Sequence, residues 1–417
     1  MMMYSMDSSD HNHQSLIPGL PNDISSLILS LYIPFSHHSR LRSISKLWNQ
    51  FFNSKTPFSI RFTHSSNNNS LLSQLLCIFP EDPTISSFYI YDPLNLAWCS
   101  LPPMPCNPYV YGLCNFQAVG YGDQIYVIGG SVFDTRSYPL DRPSPSGTTF
   151  RFDLVTKKWE GLSNMLSPRG SFACASFGGL GLGNGGIVVA GGGSRHTMFG
   201  AAGSSMSSVE MFDIGRNEWV ALDGLPGFRA GCVGFMVGED EFWVMGGYGE
   251  SRTVWGVFPV DDYYRDAVVM DLKNGGTGKW RELGDMWEEG ERRRLGRIAV
   301  IEDVNKGSPA VFMLDDSDIF RYDMASNRWK KEASIPKKLT DESPAGFVAL
   351  NGELYVMGSI SGGDSTENRK SRQHKRSASL FLQIYHPQKM TWRTLITKLP
   401  FQHSLDFKTA VMCTIRL

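Results

Sequence analysis

The sequence lacks any apolar run long enough to cross a membrane, because no stretch approaches 18 consecutive apolar residues. Its first residues also lack the basic and apolar regions of a secretory signal, and residues 1–15 are predicted to form a disordered tail. Positive and negative charges nearly cancel, with 40 Lys and Arg against 41 Asp and Glu. The overall charge therefore predicts no binding to nucleic acid or to a membrane.

Cysteine is also scarce, with seven residues, an odd and scattered set in which no two form a CxxC pair. This pattern argues against a disulfide framework and against a zinc site, and it favours a reducing compartment, cytoplasmic or nuclear. Cys174 and Cys232 lie in apolar runs and are expected to be buried as small hydrophobic residues. The sequence predicts no metal and no cofactor.

What the sequence does have is a repeat marked by tryptophan. Six of the ten tryptophans recur at intervals of 61, 60, 61, 49 and 63 residues, and a period of this kind indicates a repeat architecture. The six are Trp98, Trp159, Trp219, Trp280, Trp329 and Trp392. A complete unit holds an apolar strand ending in a glycine pair, an alternating strand ending in Asp, and the strand that carries the tryptophan.

A further short strand separates successive units, as in residues 170–177 and 230–237, so each unit has the four strands of a propeller blade. The first unit lacks an opening strand before Leu71, and a surplus strand, residues 407–417, follows the last unit. If this surplus strand joins the first unit, no long strand edge remains exposed. The pattern therefore predicts that residues 71–417 form an all-β, six-bladed β-propeller whose first blade is completed by the C-terminal strand.

These units resemble kelch repeats. The glycine pair, the aromatic-Asp step and the spaced tryptophan stand together in Gly129-Gly130, Phe152-Asp153 and Trp159. The last two units depart from the pattern: Leu314-Asp315 replaces the glycines in the fifth, and His386 replaces the Asp in the sixth. The resemblance implies a kelch β-propeller.

The N-terminal residues 16–56 read as a small helical module. Ile24, Leu27, Ile28 and Leu31 follow helical spacing on one face, and Pro34 ends that helix. A second helix is expected near Ser36, and residues 57–70 are predicted to be a linker. A module this short cannot bury all its apolar side chains alone, so it needs a partner surface.

The two ends of this module, Leu20 to Asp23 and Leu41 to Trp48, resemble those of an F-box, and an F-box before a kelch propeller is typical of plant F-box/kelch-repeat proteins. The resemblance implies a non-catalytic substrate receptor that binds the Skp adaptor and cullin of an SCF-type ubiquitin ligase and presents an unidentified protein for ubiquitination and proteasomal degradation. It assigns these residues to the docking surface or its support: Leu20, Pro21, Ile24, Leu27, Ile28, Leu31, Leu41, Ile44 and Trp48.

Three arginines open the first strands of consecutive units and are candidates for substrate binding. Arg169 and Arg229 each stand ten residues after a repeat tryptophan, and Arg294 precedes Leu-Gly much as Arg229 precedes Ala-Gly. Strands at these positions line a propeller channel, so the guanidinium groups are expected to meet at one mouth, where they would suit a carboxylate or phosphate. Hydrogen bonding to neighbouring loops is the alternative interpretation.

The basic run at residues 369–376 also has more than one interpretation: a solvated loop, a nuclear-localisation signal or a phosphate contact. Two other function classes compete with the ligase receptor. A propeller enzyme is disfavoured because histidines 196, 374, 386 and 403 are scattered, whereas a copper site needs several imidazoles together. A kelch scaffold, with the helices merely packing on the propeller, stays open.

Overall fold

The structure is a computed structural model, and it describes most of the chain. The described residues are 15–65, 74–80, 87–105, 111–137, 143–178, 185–193, 205–238, 240–254, 258–273, 279–288, 295–301, 309–337, 345–360, 379–400, 405–407 and 409–416. Residues 1–14 of the predicted tail, Arg294 and the basic run 369–376 lie outside the described residues. The chain divides into two units, one N-terminal and ending at Ser73, the other Gln74–Arg416.

The N-terminal unit is helical. Its helices are α1 (Asn22–Leu31), α2 (Phe35–Leu41), α3 (Lys46–Asn53) and α4 (Thr56–Ser65). The predicted linker at residues 57–70 therefore needs correction, because α4 occupies its first half. Pro57 is compatible with the first turn of a helix, and the next residue, Phe58, is buried with its ring 5.9 Å from that of Phe35. Burial of this aromatic side chain draws the segment into the module.

The propeller unit begins with β1 (Gln74–Phe79), β2 (Phe88–Asp92) and β3 (Ala97–Leu101) of the first sheet. Next come β4 (Tyr111–Cys114), β5 (Gln117–Tyr121), β6 (Gln124–Ile128), β7 (Ser131–Asp134), β8 (Ser144–Pro145), β9 (Thr149–Asp153) and β10 (Lys158–Leu162). Of these, β5, β6, β9 and β10 form the second sheet, and β4, β7 and β8 form a small sheet of their own.

The third sheet holds β11 (Ala173–Phe177), β12 (Gly186–Ala190), β13 (Val209–Asp213) and β14 (Glu218–Leu222). The fourth holds β15 (Val233–Val237), β16 (Glu241–Met245), β19 (Asp266–Asp271) and β20 (Arg281–Asp285), with the hairpin β17 (Tyr248–Val254) and β18 (Phe258–Tyr263) inserted after β16. The fifth holds β21 (Arg297–Ile301), β22 (Ala310–Asp315), β23 (Asp318–Asp323) and β24 (Arg328–Ser334). The sixth holds β25 (Gly346–Leu350), β26 (Glu353–Ile360), β27 (Ser379–His386) and β28 (Thr391–Lys398).

The last strand, β29 (Val411–Arg416), closes the ring. It pairs antiparallel with β1 over six residues, from Gln74 opposite Arg416 to Phe79 opposite Val411, and becomes the innermost strand of the first sheet. All six large sheets thus have four strands, and the fold predicted from the repeats, a six-bladed β-propeller, is confirmed. The two weak repeats, the fifth and sixth, also form complete sheets.

Hydrophobic cores lie between neighbouring sheets. Phe177 and Val188 of the third sheet pack in one cluster with Phe242 and Val268 of the fourth. Four of the six repeat tryptophans add a polar link across such interfaces, because the indole N–H donates to the end of the sheet before its own, whereas the buried indole N–H of Trp329 has no hydrogen-bond partner among the described residues. The bonds run from Trp98 to Thr397 Oγ1 (3.0 Å), from Trp159 to Pro102 O (3.1 Å), from Trp219 to Ser163 O (2.9 Å) and from Trp280 to Asp223 O (3.1 Å).

A recurring turn precedes the tryptophan strand. In the second sheet, Asp153 Oδ1 accepts from the backbone N–H groups of Val155 and Thr156, both at 2.8 Å, and Lys157 then adopts a φ of 55°. In the sixth sheet, His386 Nδ1 accepts from the N–H of Lys389 at 3.4 Å, so the imidazole takes the carboxylate's place. The turn therefore needs a side-chain acceptor more than it needs Asp itself.

Candidate functional site

Helix α1 of the N-terminal module turns its apolar face outward. Its buried residues are Ser25, Leu29 and Ser30, and Leu29 packs with Phe51 and Phe52 of α3. The face identified by helical spacing is thus not the face that enters the module core. The F-box resemblance assigns residues of this face to the docking surface or its support, and the module itself does not cover the whole face.

Four of the nine predicted docking residues are exposed. Ile24 is 42% exposed and Ile44 is 60% exposed, and Leu20 and Pro21 are exposed at the start of α1. These are large apolar side chains left exposed on a small module, and on α1 serines are buried instead, which is the reverse of an amphipathic helix that buries its apolar face. Such a surface is typical of a protein-interaction site.

The other five predicted residues are half-buried and support this surface. Leu27, Ile28 and Leu31 lie on α1, and Leu41 and Trp48 pack against the cluster around Leu29. The indole N–H of Trp48 donates to the carbonyl of Leu16 at 2.6 Å, which ties the start of the module to α3.

Short-range polar contacts fix the helix ends. Ser45 caps α3, because its hydroxyl accepts from the N–H of Trp48 at 3.1 Å. Arg61 of α4 donates from Nε to the carbonyl of Ser30 at 2.6 Å and from Nη2 to the carbonyl of Ile33. Carbonyls at a helix C-terminus lack partners within the helix, so Arg61 stabilises the end of α1 and sets its position.

Arg169, in the propeller, lies in the connection from β10 to β11 and is fully buried, with 0% of its side chain exposed. Its Nη1 donates to the carbonyls of Gly191 (3.0 Å) and Ser208 (2.7 Å), and its Nε donates to that of Ser167 (3.2 Å). Its Nη2 donates to Ser208 Oγ (2.8 Å) and pairs with the Glu210 carboxylate. Burial lowers the pKa of the guanidinium, and Glu210 opposes this shift.

Arg229, in the connection from β14 to β15, is held in a similar way with 2% of its side chain exposed. It forms two parallel hydrogen bonds to the Asp266 carboxylate, both 2.8 Å, and a longer one of 3.3 Å to the carbonyl of Gly246. The guanidinium also lies 3.9 Å from the ring centre of Tyr264. A bidentate, stacked geometry of this kind leaves little of the group available to another molecule.

The backbone of each arginine joins two successive blades. The carbonyl of Arg169 accepts from Gly130 N at 2.8 Å, and that of Arg229 accepts from Gly192 N at 2.7 Å. Gly192 has a φ of 94°, and a Cβ there would lie 2.8 Å from the carbonyl oxygen of Gly170. Glycine is thus needed at this position, because the connection that carries Arg169 passes too close for a side chain.

The prediction that Arg169 and Arg229 grip a substrate is therefore corrected. Both side chains are buried and paired with carboxylates, so they hold the blades together and present no free charge at a channel mouth. Arg294 lies outside the described residues, and its role stays a prediction.

Sequence reasoning missed the partners Glu210 and Asp266, and it missed Gln383. The side chain of Gln383 exchanges two hydrogen bonds with the backbone of Lys337, at 2.9 and 2.7 Å, and stands three residues before its turn residue, just as Glu210 does. A polar residue in an otherwise apolar strand at this fixed offset was the available signal.

One edge of the propeller carries the longer connections. Neighbouring strands within a sheet are antiparallel, so two kinds of connection leave the propeller on the same side. They are the connection from the second to the third strand of a sheet and the connection from one sheet to the next. We call this side the loop edge. It carries the sheet of β4, β7 and β8 and the hairpin of β17 and β18, and on the connections that hold the two arginines it exposes Leu166 and Phe228.

The described residues contain no group of three or more His, Cys, Asp or Glu side chains placed to hold a metal ion. Over the same part of the chain, no helix has the length and apolar character needed to span a membrane.

Comparison with known proteins gives matches over both units. A model of the kelch motif matches residues 112–166, which include the second sheet. The F-box/kelch-repeat protein OR23 of Arabidopsis thaliana is 55% identical, covering 97% of this chain and 92% of that protein. The F-box protein AFR of the same plant is 27% identical over 66% of this chain and 64% of its own length. A solved structure, that of YjhT, shares 16% identity with a TM-score of 0.46, over 73% of this chain and 88% of its own.

Proposed function

The chain belongs to the F-box/kelch-repeat family, and from this premise we propose that it is the non-catalytic substrate-recognition subunit of an SCF-type ubiquitin ligase. The N-terminal module binds the Skp adaptor and, through it, the cullin. The propeller binds the protein that is to be ubiquitinated and degraded by the proteasome.

The observation that carries the proposal is the outward apolar face of the helical module. Leu20, Pro21, Ile24 and Ile44 are exposed on a unit whose own core is filled by other residues. Leaving this surface in water costs free energy that burial against an adaptor recovers, at about 25 cal/mol per Å² of apolar area. Arg61, Trp48 and the α3 cap hold the face in place before binding, which limits the entropy lost on docking.

The loop edge is the part of the propeller that we assign to the substrate. Insertions between strands are concentrated there, and the rigid blades beneath hold their ends at fixed positions. With Arg169 and Arg229 committed to internal ion pairs, the large exposed side chains beside them in these two connections are apolar, Leu166 and Phe228, while Asn164 and Asp223 add exposed polar groups. The substrate contact at this part of the edge is therefore assigned to these two apolar side chains rather than to the arginines.

Co-precipitation of the full chain with the Skp adaptor tests the proposal. We expect the wild-type chain to bind, and the double variant Ile24→Glu, Ile44→Glu to lose at least about 100-fold in affinity, because each change places a charge in a buried apolar contact. Ser59→Glu, which adds one such carboxylate at an exposed position of α4, is the control and should bind normally.

Two results would contradict the proposal. Failure of the wild-type chain to bind the adaptor would favour the kelch scaffold without a ligase. Normal binding by the double variant would place the docking surface elsewhere. A circular dichroism spectrum equal to that of the wild type is needed to show that the variant module is folded.

A further inference from the structure

Two cysteines face each other across the strands that close the propeller ring. Cys77 of β1 and Cys413 of β29 are directly opposite partners, near the middle of the six paired residues. Both are buried, and both are free thiols. The two residues come from opposite ends of the propeller sequence, so this contact exists only when the ring is closed.

The geometry suits a disulfide. Side chains directly opposite in an antiparallel pair have Cβ atoms about 4.5–5.5 Å apart, and a disulfide needs about 3.5–4.5 Å, so a small movement is enough. The other cysteines in described strands face other residue types: Cys99 is opposite Ile90, Cys114 is opposite Ser131, and Cys174 is opposite Val189. Among these cysteines, two thus face each other only where β1 and β29 close the ring, at Cys77 and Cys413.

We propose that Cys77 and Cys413 form a redox-sensitive latch, which oxidation by a peroxide converts into a disulfide across the ring closure. In the first step, one thiolate attacks hydrogen peroxide to give a sulfenic acid and, after protonation, water. In the second step, the other thiol displaces that oxygen as a second water molecule and forms the S–S bond. Two thiols and one peroxide thus give one disulfide and two waters. This inference does not depend on the proposed function.

The closed ring protects the thiols. Burial raises the pKa of Cys77, and the adjacent Cys413 raises it further, so little reactive thiolate is present. Oxidation therefore follows local separation of β29 from β1, and its rate reports how often the ring opens. Once formed, the bond keeps the closing strand attached and restricts the unfolded chain, which stabilises the oxidised protein.

The test uses the purified full chain, first reduced and then incubated with hydrogen peroxide. After alkylation and digestion without reductant, mass spectrometry should find the Cys77 peptide linked to the Cys413 peptide. Thermal unfolding should show a rise in Tm of about 5 °C or more that dithiothreitol reverses. The matched control Cys99→Ser should keep both effects, and Cys77→Ser and Cys413→Ala should each lose both.

Hydrogen exchange on the same samples measures how long the β29 amides take to become accessible, so a missing disulfide cannot be attributed to a ring that never opened. Absence of the linked peptide after incubation long enough for the β29 amides to exchange would overturn the proposal. A bond from Cys413 to any cysteine other than Cys77 would overturn the assignment of the pair. A Cys77–Cys413 bond with an unchanged Tm would overturn the latch role.

Discussion

Replacing Glu210 by Ala should destabilise the propeller strongly, because it leaves the charge of Arg169 buried without its carboxylate. The arginine side chain is 0% exposed and that of Glu210 is 2% exposed, so water cannot take over the lost interaction without opening the loop edge. The same change removes the acceptor for the backbone N–H groups of Leu166 and Ser167, which bond to Glu210 at 2.8 and 3.0 Å.

The expected loss can be estimated from these contacts. Removing one partner of a buried ion pair costs about 3–5 kcal/mol, most of it the penalty of the remaining charge. The part-buried N–H groups of Leu166 and Ser167 lose their acceptor as well, which places the expected loss well inside this range. We expect the free energy of unfolding to fall by about 4 kcal/mol, which at roughly 2 °C per kcal/mol corresponds to a Tm lower by about 8 °C.

Thermal unfolding followed by near-ultraviolet circular dichroism measures this loss, since the repeat tryptophans report tertiary packing. Glu218→Ala on the exposed side of β14 is the matched control, and it should change stability by less than about 0.5 kcal/mol. The double variant Arg169→Met, Glu210→Met should regain part of the loss, because no buried charge remains although the carbonyls of Gly191 and Ser208 lose their donor. A Glu210→Ala protein within about 1 kcal/mol of the wild type would refute the structural role assigned to the pair.

Four further changes test other parts of the structure. Deleting every residue after Pro400 removes β29, and we expect loss of the cooperative unfolding transition because the first sheet is left open. Trp98→Phe removes the bond to Thr397 and should cost about 1 kcal/mol by chemical denaturation. Met390→Gly should stabilise the protein by about 0.5–1 kcal/mol, because Met390 is exposed and has a left-handed φ of 52°. Arg61→Met should lower the helicity of the N-terminal module, since the carbonyls at the end of α1 lose their donor.

Each of these has a contradicting outcome. An unchanged Tm in the truncated chain would exclude closure by β29, and full additivity of Trp98→Phe with Thr397→Val would exclude the tryptophan bond. Lys389→Gly, next to Met390 but outside the positive-φ set, is the control for the turn and should not stabilise. Arg40→Met, at an exposed position of α2, is the control for Arg61 and should leave helicity unchanged.

The helical module shows what helical spacing in a sequence can predict and what it cannot. Helical spacing identified Ile24, Leu27, Ile28 and Leu31 as one face, and α1 does present them together. Spacing alone does not distinguish a face that is buried in the module's own core from one that is exposed to bind a partner, because both need apolar residues at the same positions. That distinction came from the burial of Ser25 and Leu29 on another side of the helix.

The arginines show where a pattern misleads. Their regular positions after the repeat tryptophans are real, but regularity is equally expected of a structural contact repeated in each blade. Glu210 and Asp266 lie 41 and 37 residues further along the chain, and no local sequence feature reveals which carboxylate meets which guanidinium. Pairing across strands requires the register of the folded sheets.

The sequence by itself determined the architecture: six tryptophan-marked units, one surplus C-terminal strand and a separate helical module, because local strand periodicity and unit counting are properties of the chain order. Only the tertiary structure decided which charges are neutralised, which apolar face stays exposed and which thiols meet. These depend on contacts between residues far apart in the chain, such as Cys77 with Cys413, and such contacts form only when the ring closes.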